Sequence, residues 1–183
     1  MKKLTLTTAT LFILSLNGAY AETQKLRYVI DGDTAVFAHT TCRFAYIDTP
    51  ESKHNKKLES DIKRSQYNKK LHKYILNNNS VSPQEVVRAG RIAKGYVKSI
   101  MHKGSFYDFD IISTDRYGRS ICVIYDKKGG TINDRIVANG FAVPFWRYIP
   151  SNIKPKMIDL VRRAKAKNKG LWRSNRNVMD MMN

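Results

Sequence analysis

Between Val29 and Glu51 the chain passes three times from a short apolar run into tight turn chemistry, and this alternation limits the fold more than any other stretch. Lys25 to Ile30 reads as a first strand, Ala35 to Ala38 as a second and Cys42 to Ile47 as a third. Asp31-Gly32-Asp33-Thr34 supplies one turn, with a glycine that tolerates positive φ, and His39-Thr40-Thr41 the next. Short strands joined by tight turns favour a meander that curls into a small barrel. Pro50 closes the third strand.

The same stretch concentrates chemistry. Asp33 and Asp48 each lie at the end of a strand beside a turn, so both can face one rim of a barrel. Two carboxylates on one rim repel unless a cation or protons intervene. Hard divalent ions take such oxygens together with backbone carbonyls, and no thiolate pair or histidine cluster offers a softer site. Arg43 interrupts an apolar strand, so its guanidinium must reach an anion, the solvent rim, or Asp48 or Glu51 as an internal ion pair. Glu51 stands three residues past Asp48, where a carboxylate can activate water, serve as a further metal ligand or cap a helix. Arg119 follows Tyr117-Gly118 in a second turn, and two arginines beside a cation suit a phosphate.

The remainder of the chain reads as helices and two more strands. Leu58 to Leu76 has apolar residues at helical spacing separated by lysines. Ser82-Pro83-Gln84-Glu85 reads as a capping box opening a helix that runs to about His102. Phe106 to Ile112 and Ser120 to Tyr125 are the other strands, and Thr131 opens a short helix ending near Gly140. Phe141 to Ile149 reads as extended and aromatic, Pro155 to Lys169 as a basic helix closed by Gly170, and the tail after Arg173 as frayed.

The 183 residues suit one domain, and the formal charge of +18 points to a polyanion partner: nucleic acid, anionic lipid or acidic glycan. Met1 to Ala21 reads as a secretory signal, with two lysines, an apolar run and Ala19-Tyr20-Ala21 as the cleavage site; an uncleaved anchor is the other reading. Cleavage leaves a single domain over 22–183 that is expected to be secreted or periplasmic, monomeric and without a membrane segment. In an oxidising compartment Cys42 and Cys122 can form a disulfide, and two buried thiols are the alternative.

In order along the chain, Ile30-Asp31-Gly32-Asp33-Thr34, Arg43, Ile47-Asp48-Thr49-Pro50-Glu51, Lys53-His54, Lys56-Lys57, Thr114 to Arg119, Asn133 to Gly140, Tyr148-Ile149-Pro150 and Gly170-Leu171-Trp172 together resemble the staphylococcal-nuclease family. The resemblance implies an α+β fold: a five-stranded OB-fold β-barrel with about three helices, here with an inserted basic helical segment over 58–80. It implies a calcium-dependent nuclease acting on DNA and RNA and leaving a 5′-hydroxyl and a 3′-phosphate. By motif position, Asp33, Asp48 and the Thr49 carbonyl look like calcium ligands. Arg43 and Arg119 look like catalytic arginines, and Glu51 like the group acting on water, as a base or by orienting it. Arg116, Tyr117, Tyr148, Lys56 and Lys57 look like substrate contacts, and Asp31 like a residue behind the ligands. In the implied strand order Cys42 lies beside the strand of Cys122, which brings a disulfide within reach without fixing the register that would make it.

Two other functions are compatible with parts of the sequence. A catalytically silent OB-fold could grip single strands through its basic surface and Tyr117, Trp146 and Tyr148. A pure binder gains nothing from clustered carboxylates facing a polyanion, which favours the enzyme. A membrane-active basic protein would need a cleanly amphipathic helix, and Pro155 to Lys169 is a weak one.

Overall fold

The computed structural model describes residues 21–68, 73–74 and 81–183, with backbone alone over 67–68 and 73–74. The expected signal segment therefore lies outside the described residues except for Ala21.

Five strands close a barrel in the order β1-β2-β3-β8-β7. β1 (Glu22–Asp31) pairs antiparallel with β2 (Thr34–Phe37) and β7 (Phe106–Thr114), and β2 pairs antiparallel with β3 (Thr41–Phe44). β7 pairs antiparallel with β8 (Ser120–Ile124), while β3 and β8 run parallel. That parallel contact makes the sheet mixed and closes it, so the fold is an α+β OB-type barrel. In β1 the inward residues Leu26 and Val29 are three apart, not two; a register shift between Leu26 and Tyr28 restores the inward phase.

Leu26, Phe37, Phe44, Phe109 and Ile124 fill the barrel, with the Phe37 and Phe109 ring centroids 4.8 Å apart. Cys42 and Cys122, both with no exposed surface, are joined by a disulfide with Cα atoms 5.5 Å apart. The bond ties β3 to β8 across the parallel contact.

The expected third strand, Cys42 to Ile47, is not continuous. It breaks at Tyr46, whose φ of 66° turns the chain left-handed, and resumes as β4 (Ile47–Asp48), which leaves the barrel to pair with β9 (Val143–Pro144). The Asn133 side chain secures this break: its Nδ2 donates to the carbonyls of Ala45 and Cys122, and its Oδ1 accepts from the Ile124 N–H. One buried amide thus joins the break, β8 and the start of α3 (Ile132–Ala138).

The helix expected over 58–76 is shorter. α1 spans Lys56–Ser65, capped by Asn55, whose side chain accepts from the Leu58 N–H. The backbone then forms a two-stranded ribbon, β5 (Tyr67–Asn68) with β6 (Lys73–Tyr74); the rest of that stretch, 69–72 and 75–80, lies outside the described residues. Leu58 is the buried residue of α1, an apolar face too narrow to hold a longer helix.

α2 (Pro83–Ile100) begins with the expected capping box, Ser82 and Glu85 bonding each other's backbone N–H. Its buried stripe, Val86, Ala89, Gly90, Ala93 and Val97, follows helical periodicity and packs on β1. α4 (Lys154–Ala166) packs on α3, and α5 (Leu171–Ser174) buries Trp172. Two tail expectations are corrected. Phe141 to Ile149 is extended only at β9 and then turns through a 3₁₀ segment at Trp146–Tyr148. The residues after Arg173 are not frayed: α6 (Arg176–Met182) buries Val178 and Met179. The described residues thus hold six α-helical segments, against about three and an inserted helical segment expected.

Candidate active site

The site is built from the two turns that flank β2 to β4 and the first turn of α1. Asp33 ends the β1–β2 turn and is buried. Its Oδ2 accepts the Thr49 backbone N–H at 3.0 Å and the Thr49 hydroxyl at 2.9 Å, and faces Arg43 Nη1 at 3.1 Å. Gly32 permits this approach, since a Cβ there would stand 2.8 Å from Thr49 Oγ1. Arg43, on β3 opposite Thr34, donates through Nη1 to the Ile47 carbonyl at 2.9 Å and through Nη2 to Asp48 Oδ1 at 2.7 Å. The arginine that interrupts the apolar strand is therefore an internal bridge between Asp33 and Asp48, one of the alternatives its position allowed.

Lys57 continues the chain of contacts. From the first turn of α1 its Nζ lies 2.6 Å from Glu51 Oε1 and 3.3 Å from Asp48 Oδ1. Asn55 Nδ2 donates to the other Glu51 oxygen at 2.8 Å. Lys57, though also exposed, thus faces the carboxylates, whereas Lys56 beside it does not share these contacts. Asn55 escaped the sequence reading, although an Asn just ahead of a helical run is a cap signal.

Electrostatics follow from this geometry. Burial raises the Asp33 carboxyl, but Arg43, Lys57 and the two Thr49 donors outweigh it and hold it below the usual carboxylate range. Asp48 is pushed up by burial, against the pull of Lys57 and Arg43 and with the help of Asp33. Burial disfavours the Lys57 ammonium, yet Asp48 and Glu51 hold its pKa above the ordinary lysine value. Asp31, behind Asp33, is pushed up to about 6 by burial and then by the charges of Asp33 and Glu51. Among the described residues, Asp31, Asp33, Asp48 and Glu51 thus meet two cations, Arg43 and Lys57, a surplus of carboxylates that a divalent cation would offset.

The donor set is all oxygen. Asp33 Oδ2 is committed to Thr49 and Arg43, and Asp48 Oδ1 to Arg43 and Lys57; Asp33 Oδ1 accepts the Thr34 hydroxyl at 3.0 Å and keeps a second lone pair, and Asp48 Oδ2 lies outside these contacts. Among the described residues no three His, Cys, Asp or Glu side chains converge as a metal cluster. A site here needs a backbone oxygen as well, and Thr49, bonded to Asp33 and adjacent to Asp48, carries one. That mixture fits a hard cation such as calcium.

Arg119 comes from the β7–β8 turn. Its backbone N–H and Nε donate to Asp115, and its Nη2 lies 2.7 Å from Asp115 Oδ2. Asp115 also accepts the Tyr117 N–H, so one carboxylate shapes the turn and orients the guanidinium. Arg119 immediately precedes Ser120, the β8 partner of Cys42, which sets it next to the Arg43 strand. Tyr117 and Tyr148 are 68% and 60% exposed, as side chains awaiting a ligand would be. Arg116 and Arg119 flank the Tyr117 ring, with Arg116 Nη2 donating to its hydroxyl at 2.6 Å. Phe145 was not singled out in the sequence; it lies between Tyr148, 4.8 Å away by ring centroids, and the Arg43 guanidinium, 6.0 Å away. Trp146 instead donates to the Asn183 carbonyl at 3.1 Å.

Residues 41–174 match the family described as staphylococcal nuclease homologue. The chain belongs to this family. Endonuclease YhcR of Bacillus subtilis (strain 168) is 27% identical over 160 residues, covering 84% of this chain and 12% of that protein. The chain therefore spans about an eighth of the curated relative's length. The family match begins at β3, so Asp33 joins the matched region through its bonds to Thr49 and Arg43. Among the described residues no helix is long and apolar enough to cross a membrane.

Proposed function

We propose that this member of the staphylococcal nuclease homologue family is a calcium-dependent nuclease that hydrolyses DNA and RNA to 5′-hydroxyl and 3′-phosphate products. The observation that carries the reading is the continuous polar chain Asp33–Arg43–Asp48–Lys57–Glu51, which gathers two aspartates, a glutamate, an arginine and a lysine in one cluster. Asp33, Asp48 and the Thr49 carbonyl would hold the cation. When bound, it supplies positive charge to a phosphoryl oxygen.

The chain's own groups do the rest. Glu51 accepts a hydrogen bond from water and aims it at phosphorus, and Asn55 and Lys57 fix the glutamate for that task. Water adds to phosphorus and gives up a proton to Glu51 or to solvent, the bond from phosphorus to the 5′-oxygen breaks, that oxygen takes a proton from solvent to become the 5′-hydroxyl, and the 3′-side keeps the phosphate. The Arg43 contacts in the cluster use both terminal nitrogens and leave Nε for a phosphoryl oxygen. Arg119, oriented by Asp115, presents a second guanidinium to the charge that builds there. Tyr117, Tyr148, Arg116 and Lys56 contact the strand to either side. The Cys42–Cys122 bond supports export to an oxidising, secreted or periplasmic location, in which the chain acts as a single-domain monomer.

The test is cleavage of single-stranded DNA and of RNA by the purified chain, in calcium and in excess chelator, with Glu51→Gln and Arg119→Ala alongside. Calcium-dependent cleavage that falls at least ~10²-fold in each variant is the expected result. Tight binding without cleavage in calcium, magnesium or manganese would instead mark a silent OB-fold.

A further inference from the structure

Beside the loop that carries Glu51 lies a second basic feature, which the polar chain does not use. Lys53 and His54 follow Glu51 and Ser52, and the first turns of α2 come against them. A groove of about 600 Å³ opens between the two segments. Its lining is almost wholly apolar, from Pro83, Val87 and the side-chain stems of Lys53, Arg88 and Arg91, which carry their charges beside it, with Gln84 and His54 completing it. Arg88 and Arg91 are exposed and three residues apart, hence on one face of α2. No ion pair within the described residues ties down Lys53, Arg88 or Arg91. Of the nearby acids, Glu85 is bonded to Ser82 in the capping box and also feels the Arg88 charge without forming an ion pair with it, and Glu59 faces His54 at 3.5 Å.

The groove is fixed relative to the proposed catalytic loop. α2 meets that loop backbone to backbone at Gly90, where a Cβ would stand 2.3 Å from the Glu51 carbonyl oxygen and 2.5 Å from that of Pro50. Arg91 is the next residue of the helix, so the groove cannot move without moving Glu51.

A lone phosphate would leave Pro83 and Val87 uncovered, and a purely apolar ligand would leave three cations unmatched. A nucleotide has both surfaces, a flat base and an anionic backbone, and the groove lies within the usual size range of ligand sites. We propose that the groove is a remote nucleotide subsite for a single strand, a base resting on Pro83 and Val87 while its phosphates take Lys53, Arg88 and Arg91. The subsite rests on the nuclease reading only for the fate of the strand it holds. A paired base is stacked within its duplex and cannot lie on that surface, so the subsite favours single strands.

The experiment measures binding of a fluorescein-labelled single-stranded 12-mer by anisotropy, in excess chelator, across a salt series. Arg88→Gln/Arg91→Gln is compared with the wild type and with Lys127→Gln/Lys128→Gln, which removes the same charge from the turn after β8. Single-strand binding loses about 0.7 in its log–log salt slope per phosphate contact, so the groove variant should lose about 1.4 in slope and about tenfold in affinity at 0.1 M salt. The turn variant should keep the wild-type slope, and the wild type's preference for the 12-mer over a duplex of equal length should narrow in the groove variant alone. Equal losses in both variants, an unchanged slope, or an unchanged strand preference would overturn the proposal. Cleavage of a dinucleotide in calcium separates the two readings. A chain that cleaves nothing but shows the slope change keeps the subsite and loses the nuclease; one that cleaves normally with an unchanged slope loses the subsite alone.

Discussion

Opening the Cys42–Cys122 bond should remove a large part of the stability of this domain. The cross-link closes a loop spanning a sequence separation of 80, which includes α1, α2, β7 and the Asp48–Glu51 segment. Loop-closure entropy for that length is about 15 cal/mol/K, or about 4.5 kcal/mol at 25 °C. Whole domains are stable by only about 5–15 kcal/mol. Both cysteines are fully buried, so the reduced thiols would stay packed as small apolar groups and little besides the loop constraint would change. With a urea slope of about 2 kcal/mol/M, the unfolding midpoint should fall by about 2 M. The assay is urea unfolding followed by fluorescence of Trp172, which is buried in the folded chain, for the oxidised protein, the reduced protein and Cys42→Ala/Cys122→Ala. The reduced protein keeps both sulfur atoms and so separates the loop term from the small cavity that alanine leaves. If oxidised and reduced midpoints agreed within about 0.5 M, the loop-closure reasoning would be refuted.

Two further outcomes follow from the site. The Asp31 carboxyl titrates near 6 in the folded chain against 3.8 unfolded, so the native state holds its proton more tightly and loses stability as pH climbs through that window. In chelator, Asp31→Asn should therefore be more stable than wild type by about 2 kcal/mol at pH 7.5 and gain almost nothing at pH 4, by calorimetry; an equal gain at both pH values would contradict the assignment. Gly90→Ala drives a methyl into the Glu51 and Pro50 carbonyls, so it should cost about 1–3 kcal/mol and lower kcat more than it raises KM; unchanged kcat and stability would show that α2 does not position Glu51.

How much of this was legible in the sequence depends on how local each feature is. The Asp-Gly-Asp-Thr turn, the capping box at Ser82 and the strands around Phe109 and Cys122 are set by neighbouring residues and emerge where the pattern puts them. The break at Tyr46 is not legible, because a left-handed tyrosine has no composition signal; it is held by Asn133, far along the chain. The helix expected from the sequence outruns α1 because periodicity in a lysine-rich run counts apolar residues without knowing whether the rest of the fold can cover them. The tail looked unstructured for the opposite reason: Val178 and Met179 find cover in parts of the fold that no local pattern reveals. At the site, residue types marked Asp33, Arg43, Asp48 and Glu51 as belonging together. Which cation met which carboxylate, and the turn of Lys57 toward Asp48 and Glu51, needed three dimensions.

The parallel contact between β3 and β8 has a consequence for the order of assembly. Asp33, Arg43, Asp48, Glu51 and Lys57 lie within a short span of chain and can come together early. Arg119 arrives only when β8 docks beside β3, a long-range pairing that forms slowly because so much chain must be closed first. A chain whose β8 has not yet docked would therefore carry the carboxylate half of the proposed chemistry without its second guanidinium. On the proposed reading, the phosphate grip is complete only after the folding step that closes the barrel.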